Sequence, residues 1–313
     1  MRGRRTLVGV VGVVLFAGVL LSPPSSAGPA PTAEVPKIAV EDVLPHLEKL
    51  QSIADAAGGN RVAGSEGYAK SVDYVAETLS STGFDVRREK CDDCTEPDES
   101  VIADWPGGDE SKTIMFGAHL DSVEEGPGIE DNGSGTAALL QIALTLAKTA
   151  PEMSRHVRLA WWSNEEQDSD SSSYYVEQNG TDDLAAYVNL DMTAAPNPGY
   201  FLTYLDSAPG QAVAEYLKTV GADAEEMAAG CDCSDDAAFD EAGVPTTYLT
   251  TASNDADDMS EEQAEKWGGE AGEPFDACYH SACDAYPKNI HTDALDYTTN
   301  ATLHALWTLA VKA

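Results

Sequence analysis

Apolar positions recur every three or four residues in several stretches of the chain. Val43, Leu44, Leu47, Leu50 and Ile53 give residues 39–56 one apolar face, and this spacing predicts a helix. A Gly58-Gly59-Asn60 break ends it, and a second helix is expected around Ser65 to Leu79. Further helices are expected over Gly135 to Lys148 and, closing the chain, Ala294 to Val311. Val101–Trp105, Thr113–Ala118, Val157–Trp162 and Ala186–Leu190 are short runs without that period, and they read as buried strands. Val244–Leu249 is a further strand of the same kind, and the acidic stretch Cys91–Ser100 reads as a surface loop. Alternation of strand, helix and strand indicates one α/β domain with a largely parallel sheet and helices on both faces. There is no internal repeat and no change of composition to mark a second domain.

The first residues belong to another regime. Arg2, Arg4 and Arg5 precede an apolar or glycine run of 15 residues, Leu7 to Leu21, and then Pro23, Pro24 and Ser25-Ser26-Ala27. This is the pattern of a signal peptide cleaved after Ala27. The competing reading, a membrane anchor, needs a run of about 20 residues. Residues 28–36 then form a short Pro/Ala linker, and 37–313 the α/β domain. The protein is expected to be secreted and extracellular, with the twin-arginine route left open by Arg4-Arg5.

Charge narrows the partners. Asp and Glu number 54 against 18 Lys and Arg, a net −36. Such a polyanion repels nucleic acid and anionic membranes, so neither is an expected partner. Outside the cell the six cysteines should pair. Cys278 and Cys283 are close enough to bridge a small loop. A direct Cys231–Cys233 bridge would be strained, so cross-pairing of those two with Cys91 and Cys94 is expected. A four-cysteine zinc site is the alternative.

Ligands of an open α/β sheet bind at the carboxyl ends of its strands. His119 ends the Thr113–Ala118 strand and Asp121 follows. Val157–Trp162 runs into Glu165-Glu166, Ala186–Leu190 into Asp191, and Asp131 stands before the Gly133/Gly135 helix start. Cys278-Tyr279-His280 adds a second histidine. Singly, each has a bland use: a capping aspartate, a solvated glutamate pair, a histidine closing a strand. Gathered at one edge, the acids would repel one another and raise their pKa values. A bound cation is the simplest remedy, and two histidines with three carboxylates suit two zinc ions sharing a bridging carboxylate.

Five segments carry a family resemblance. Gly117-Ala118-His119-Leu120-Asp121-Ser122-Val123, Asp131-Asn132-Gly133-Ser134-Gly135, Trp161-Trp162-Ser163-Asn164-Glu165-Glu166, Asn189-Leu190-Asp191-Met192 and Cys278-Tyr279-His280 occur in the order seen in the secreted co-catalytic di-zinc aminopeptidases. The chain resembles that family from about Pro36 to Ala310. The resemblance implies their fold, a single α/β domain with a mixed, mostly parallel sheet flanked by helices, like the phosphorylase/hydrolase group. It implies that Asp131 bridges two zinc ions and that His119, Glu166, Asp191 and His280 complete their ligands. Asp121 resembles the acid that orients the His119 imidazole. Glu165 resembles the general base and Tyr279 the phenol that hydrogen-bonds the developing oxyanion. The expected partners are peptides with a free N-terminus, whose α-amine lies near Glu165 and Asp191, and the expected state is a monomer.

The departures fall on the substrate side. Where the family shows Ser-Asp-His, often with a nearby arginine, this chain has Cys231-Asp232-Cys233-Ser234-Asp235-Asp236. The apolar specificity segment is Thr246-Thr247-Tyr248-Leu249-Thr250, leaving Met192 as the expected pocket wall. A family calcium site would fall at Ile38, Asp296 and Asn300, but Lys37 stands where an acid is expected, so calcium is left open. Two rivals remain: the same fold acting as a carboxypeptidase or a glutaminyl cyclase-like acyltransferase, and an acidic secreted protein that binds metal or another protein without catalysis.

Overall fold

The computed structural model describes Gly3 and residues 34–312, apart from 168, 228–233 and 253–257. The expected signal peptide and Cys231–Cys233 therefore lie outside the described residues. Residues Ala33–Lys312 form one compact unit.

Among the described residues eight strands make one sheet: β1 (Asp85–Lys90), β2 (Glu99–Trp105), β3 (Asp109–His119), β4 (Arg155–Trp162), β5 (Leu184–Leu190), β6 (Phe201–Leu202), β7 (Glu225–Glu226) and β8 (Thr246–Thr250). Their order is β1-β2-β4-β3-β5-β8-β6-β7. The heart, β4-β3-β5-β8, is parallel, while β1 on β2, β2 on β4 and β6 on β8 are antiparallel. The sheet is thus mixed and mostly parallel. Parallel strands need crossovers, and these are supplied by helices that cover both faces.

Among the described residues eight α-helices flank it: α1 (Val40–Ala56), α2 (Glu66–Leu79), α3 (Gly135–Thr149), α4 (Asp170–Asn179), α5 (Ala208–Thr219), α6 (Ala237–Glu241), α7 (Glu261–Trp267) and α8 (Thr292–Ala310). The Ser65 hydroxyl accepts from the Tyr68 N–H and starts α2, whose Tyr68, Val72, Val75 and Leu79 then bury one stripe. Nearly every residue of α3 through Ala143 is buried, as its apolar composition requires. Among the described residues no helix is long and apolar enough to cross a membrane.

Side-chain parity divides the core in two. Ile114, Phe116, Ala118, Val157, Leu159, Trp161, Ala186, Val188 and Leu190 join the apolar cluster that also takes residues of α1, α2, α3, α5 and α8. Met115, Ala160, Trp162 and Tyr187 point the other way, into a smaller cluster with Tyr175, Phe239 and Val244.

The cysteine expectation needs one correction. Cys91 is bridged to Cys94, not to Cys231 or Cys233, and the four-cysteine zinc alternative falls with it. The chain turns back on itself here: the Cys91 N–H donates to the Asp98 carbonyl at 2.9 Å, and both cysteines are buried beneath the loop. Cys278 is bridged to Cys283.

Candidate metal centre

The parallel strands deliver their carboxyl ends to one edge. His119 is paired with Trp162 in the β3–β4 register, and Gly117 with Asn189 in β3–β5. Asp191, two residues past Asn189, therefore reaches the level of His119. Turns beyond the strands bring in the other groups. Asn164, Met192 and His280 all take left-handed backbone there, at φ 55°, 52° and 49°. Such conformations in side-chain-bearing residues concentrate at functional sites.

Asp131 lies at the middle of the centre. Its Oδ1 is 3.2 Å from His119 Nε2 and its Oδ2 is 3.1 Å from His280 Nε2. Asp191 Oδ1 is 3.2 Å from His119 Nε2, and Glu166 Oε2 is 3.0 Å from His280 Nε2. Two donor clusters result, His119-Asp131-Asp191 and Asp131-Glu166-His280, sharing one residue. Glu165 Oε2 stands 3.8 Å from His119 Nε2, outside both. Asp121 is fully buried, 3.4 Å from His119 Nδ1, and its two oxygens accept from the Glu165 and Glu166 N–H groups at 3.3 Å each. One carboxylate thereby spans the ends of β3 and β4.

The second histidine is on the bridged loop. The Tyr279 ring stacks on His280 with centroids 3.8 Å apart, and Tyr279 is 53% exposed at the mouth. Met192 packs with Phe201, Met227, Tyr248, Met259 and Phe275 in an apolar cluster beside Asp191. Asp235 and Asp236 are buried, and neither Asp235 oxygen has a hydrogen-bond partner among the described residues. At the expected calcium site, the Lys37 ammonium lies 3.4 Å from Asp296 Oδ2. Asn300 accepts from the Ile38 N–H at 2.9 Å and donates to the Ile38 carbonyl at 3.0 Å.

The electrostatics fit a cation. Burial pushes the Glu165 carboxyl well above its ordinary range, and burial with the nearby Asp131 takes Glu166 up to about 7. Burial opposes the His280 cation, yet contacts with Asp131 and Glu166 carry it up to about 10. The acids cannot all stay ionised without positive charge among them. Glu166 Oε1 has no hydrogen-bond partner among the described residues, although it is buried.

Two supporting residues escaped the sequence reading. Arg61 is fully buried and donates to the carbonyls of Leu120, Pro127 (2.9 Å) and Gly128 (2.5 Å), fixing the loop between His119 and Asp131. Asp284 accepts from the N–H groups of Glu130 (2.7 Å) and Asp131 (3.1 Å), tying the bridged loop to the shared carboxylate. The available signals were a base directly after a Gly-Gly-Asn break in an acid-rich chain, and an acid next to Cys283.

Comparison with known proteins adds the following. The model of peptidase family M28 matches residues 100–306. Leupeptin-inactivating enzyme 1 of Streptomyces exfoliatus is 39% identical over 301 residues, which are 94% of this chain and 68% of that one. An aminopeptidase of Pseudomonas aeruginosa is 39% identical over 217 residues, 64% of this chain but only 39% of that longer protein. Among solved structures, a zinc aminopeptidase from Bacillus subtilis has the same fold, with a TM-score of 0.73 at 14% identity over 89% of this chain and 97% of that one.

Proposed function

This chain belongs to peptidase family M28 and is a metallo-aminopeptidase, and we propose that it is secreted and removes N-terminal residues from peptides with two zinc ions. The position of Asp131 carries this function: its two oxygens face two different imidazoles, and each imidazole is joined by one further acid. Donors around a tetrahedral zinc at about 2.0 Å stand about 3.3 Å apart. Separations of 3.2, 3.2, 3.1 and 3.0 Å suit that spacing. His119, Asp131 and Asp191 would hold one ion, and Asp131, Glu166 and His280 the other. When bound, such a pair acidifies a water and polarises a peptide carbonyl.

The chain's own groups do the rest. Glu165 is the acid outside both donor clusters, and it moves the proton from the attacking water to the leaving amine. Asp121 keeps the two glutamates and His119 in one frame through its contacts to all three. Tyr279, stacked on His280 at the mouth, donates its phenolic hydrogen to the carbonyl oxygen as negative charge builds there. Glu165 and Asp191 receive the substrate's α-ammonium, which restricts the enzyme to free chain ends. Met192 and its apolar neighbours border the first side chain. The bridged cysteines support an oxidising compartment and, with the N-terminal apolar run, an extracellular location. Peptides are the partners in this proposal, with neither nucleic acid nor membrane involved and the chain acting as a monomer.

The test pairs zinc counting by native mass spectrometry with hydrolysis of aminoacyl-nitroanilides and their N-acetylated forms. Two zinc ions per chain, with turnover of free-amine substrates only, is the expected result. One ion, or equal cleavage of blocked substrates, would overturn the proposal.

A further inference from the structure

The left-handed turn at Asn164 and the acidic loop closed by Cys91 and Cys94 have no part in the roles above, yet they are joined to each other. Asn164 is fully buried and directly precedes Glu165. Its side-chain amide is spent on the loop. The Glu96 N–H donates to Asn164 Oδ1 at 3.1 Å, and Asn164 Nδ2 donates to the Glu96 carbonyl at 2.9 Å. Both partners are backbone groups of one residue, so the amide pairs with it as a neighbouring strand would. That fixes its orientation: turned over, it would set donor against donor and acceptor against acceptor.

Further bonds run beside this pair. The Thr95 N–H donates to Asp170 Oδ2 at 2.7 Å, and Asp170, the first residue of α4, donates its own N–H to the Asn164 carbonyl at 3.1 Å. The Ser169 N–H donates to the Glu165 carbonyl at 3.0 Å. The loop is in turn framed by its own closure. The Cys91–Cys94 bridge ties its first half, the Cys91 N–H bonds the Asp98 carbonyl, and the Gly64 N–H donates to Asp98 Oδ2 at 2.9 Å. Asp92, Asp93 and Glu96 are exposed on it, and repulsion among like charges so close in sequence favours an open loop, which the bridge opposes. At the other end of the linkage, Asn164 holds φ 55°, a backbone that asparagine tolerates better than most side chains. The turn there brings Glu165 Oε2 to 3.8 Å from His119 Nε2.

We propose that Asn164 is a positioning residue: paired with Glu96 in the loop that Cys91 and Cys94 close, it aims Glu165, so that this bridged loop governs turnover without holding metal. This rests on the reading of Glu165 as general base.

The experiment measures kcat and KM on an aminoacyl-nitroanilide, zinc per chain and Tm for wild type, Glu165→Gln, Asn164→Gly, the Asn164→Gly/Glu165→Gln double variant and Cys91→Ser/Cys94→Ser. Glycine accepts the left-handed backbone, so Asn164→Gly removes the amide without straining the turn. It should keep two zinc ions and lose about 10-fold, carried by kcat, well within the about 10²–10⁴-fold worth of the base itself. In the Glu165→Gln background the same change should cost nothing further, because no base remains to be aimed; a merely structural role would subtract the same factor in both backgrounds. Cys91→Ser/Cys94→Ser, which leaves Cys278–Cys283 intact as a reductant would not, should lower kcat by a smaller factor at full zinc content. Glu165→Gln with wild-type turnover would overturn the general-base reading and the aiming role with it. If Glu165→Gln is impaired as expected, the positioning role alone is rejected by any of three results: wild-type kcat in Asn164→Gly, zinc loss from it, or a full 10-fold loss added to Glu165→Gln.

Discussion

Neighbouring side chains of one type are given unlike tasks by the ends of their strands. Glu165 and Glu166 are adjacent, yet only Glu166 falls within a donor cluster. Glu165→Gln should keep both zinc ions and lose about 10²–10⁴-fold in turnover, the usual worth of general acid–base help. Glu166→Gln should lose zinc. Metal counting beside kcat separates the two, and zinc loss from the Glu165 variant would reverse the assignment. Lys37 offers a second comparison. Its ammonium faces Asp296 where a cation was one expectation, and Asn300 is already occupied with Ile38. Added calcium should leave the wild-type Tm unchanged. Lys37→Asp, which sets a second carboxylate beside Asp296, should give a Tm that rises with millimolar calcium. A calcium-dependent wild type would contradict this.

Among whole elements, what could be read in the sequence was what the fold buries. β3, β4 and β5 are covered on both faces, so their apolar runs stood out, and the strand ends then located His119, Glu165, Glu166 and Asp191. β1 lies at the sheet edge with little of it buried, and its Asp85-Val86-Arg87-Arg88-Glu89-Lys90 carries charge at five of six positions, so it has no apolar run to mark it. α4 is rich in Ser and carries only Ser171, Ser172 and Tyr175 on its buried side. The Cys91–Cys94 bridge was misjudged because spacing says which pairs can close, not how a loop turns. The edge has its own electrostatics. Asp104 of β2 accepts from His156 Nε2 and Arg158 Nε of β4 at 2.8 Å each, and from Arg87 Nη1 of β1 at 2.5 Å. Burial pushes Asp104 up, but His156, Arg158 and Arg87 together bring it down to about 2. An unfolded aspartate titrates near 3.9. This contribution is therefore whole above about pH 4 and is lost as pH falls toward 2. The His156 imidazole is raised by its bond to Asp104, so its share is whole below about pH 6.5 and fades as pH rises beyond that. Asp104→Asn should cost about 1.5–3 kcal/mol near pH 5.5, the range for hydrogen bonds to charged groups. The gap from wild type should narrow at pH 3 and at pH 9, and melts at the three pH values check it.

For the molecule as a whole, 18 bases cannot neutralise 54 acids, and self-repulsion works against the compact state. Salt shortens the Debye length from about 10 Å at 0.1 M to about 3 Å at 1 M. Tm should rise with NaCl over that range while zinc content stays fixed, because donor contacts near 3 Å are too short to screen. A flat or falling Tm would show that the acids serve only solubility. The two-sided sheet bears on any attempt to harden this enzyme. On the side of α1, α2, α3, α5 and α8, the residues from β3, β4 and β5 are apolar and tolerate volume-conserving exchange. On the other side, Trp162 Nε1 donates to the Tyr187 hydroxyl and that hydroxyl to Asn189 Oδ1, while any side chain at Gly117 would overlap the Tyr187 hydroxyl. A combinatorial library should therefore yield many active repackings from the first side and almost none from the second, so screening effort belongs on one surface of the sheet.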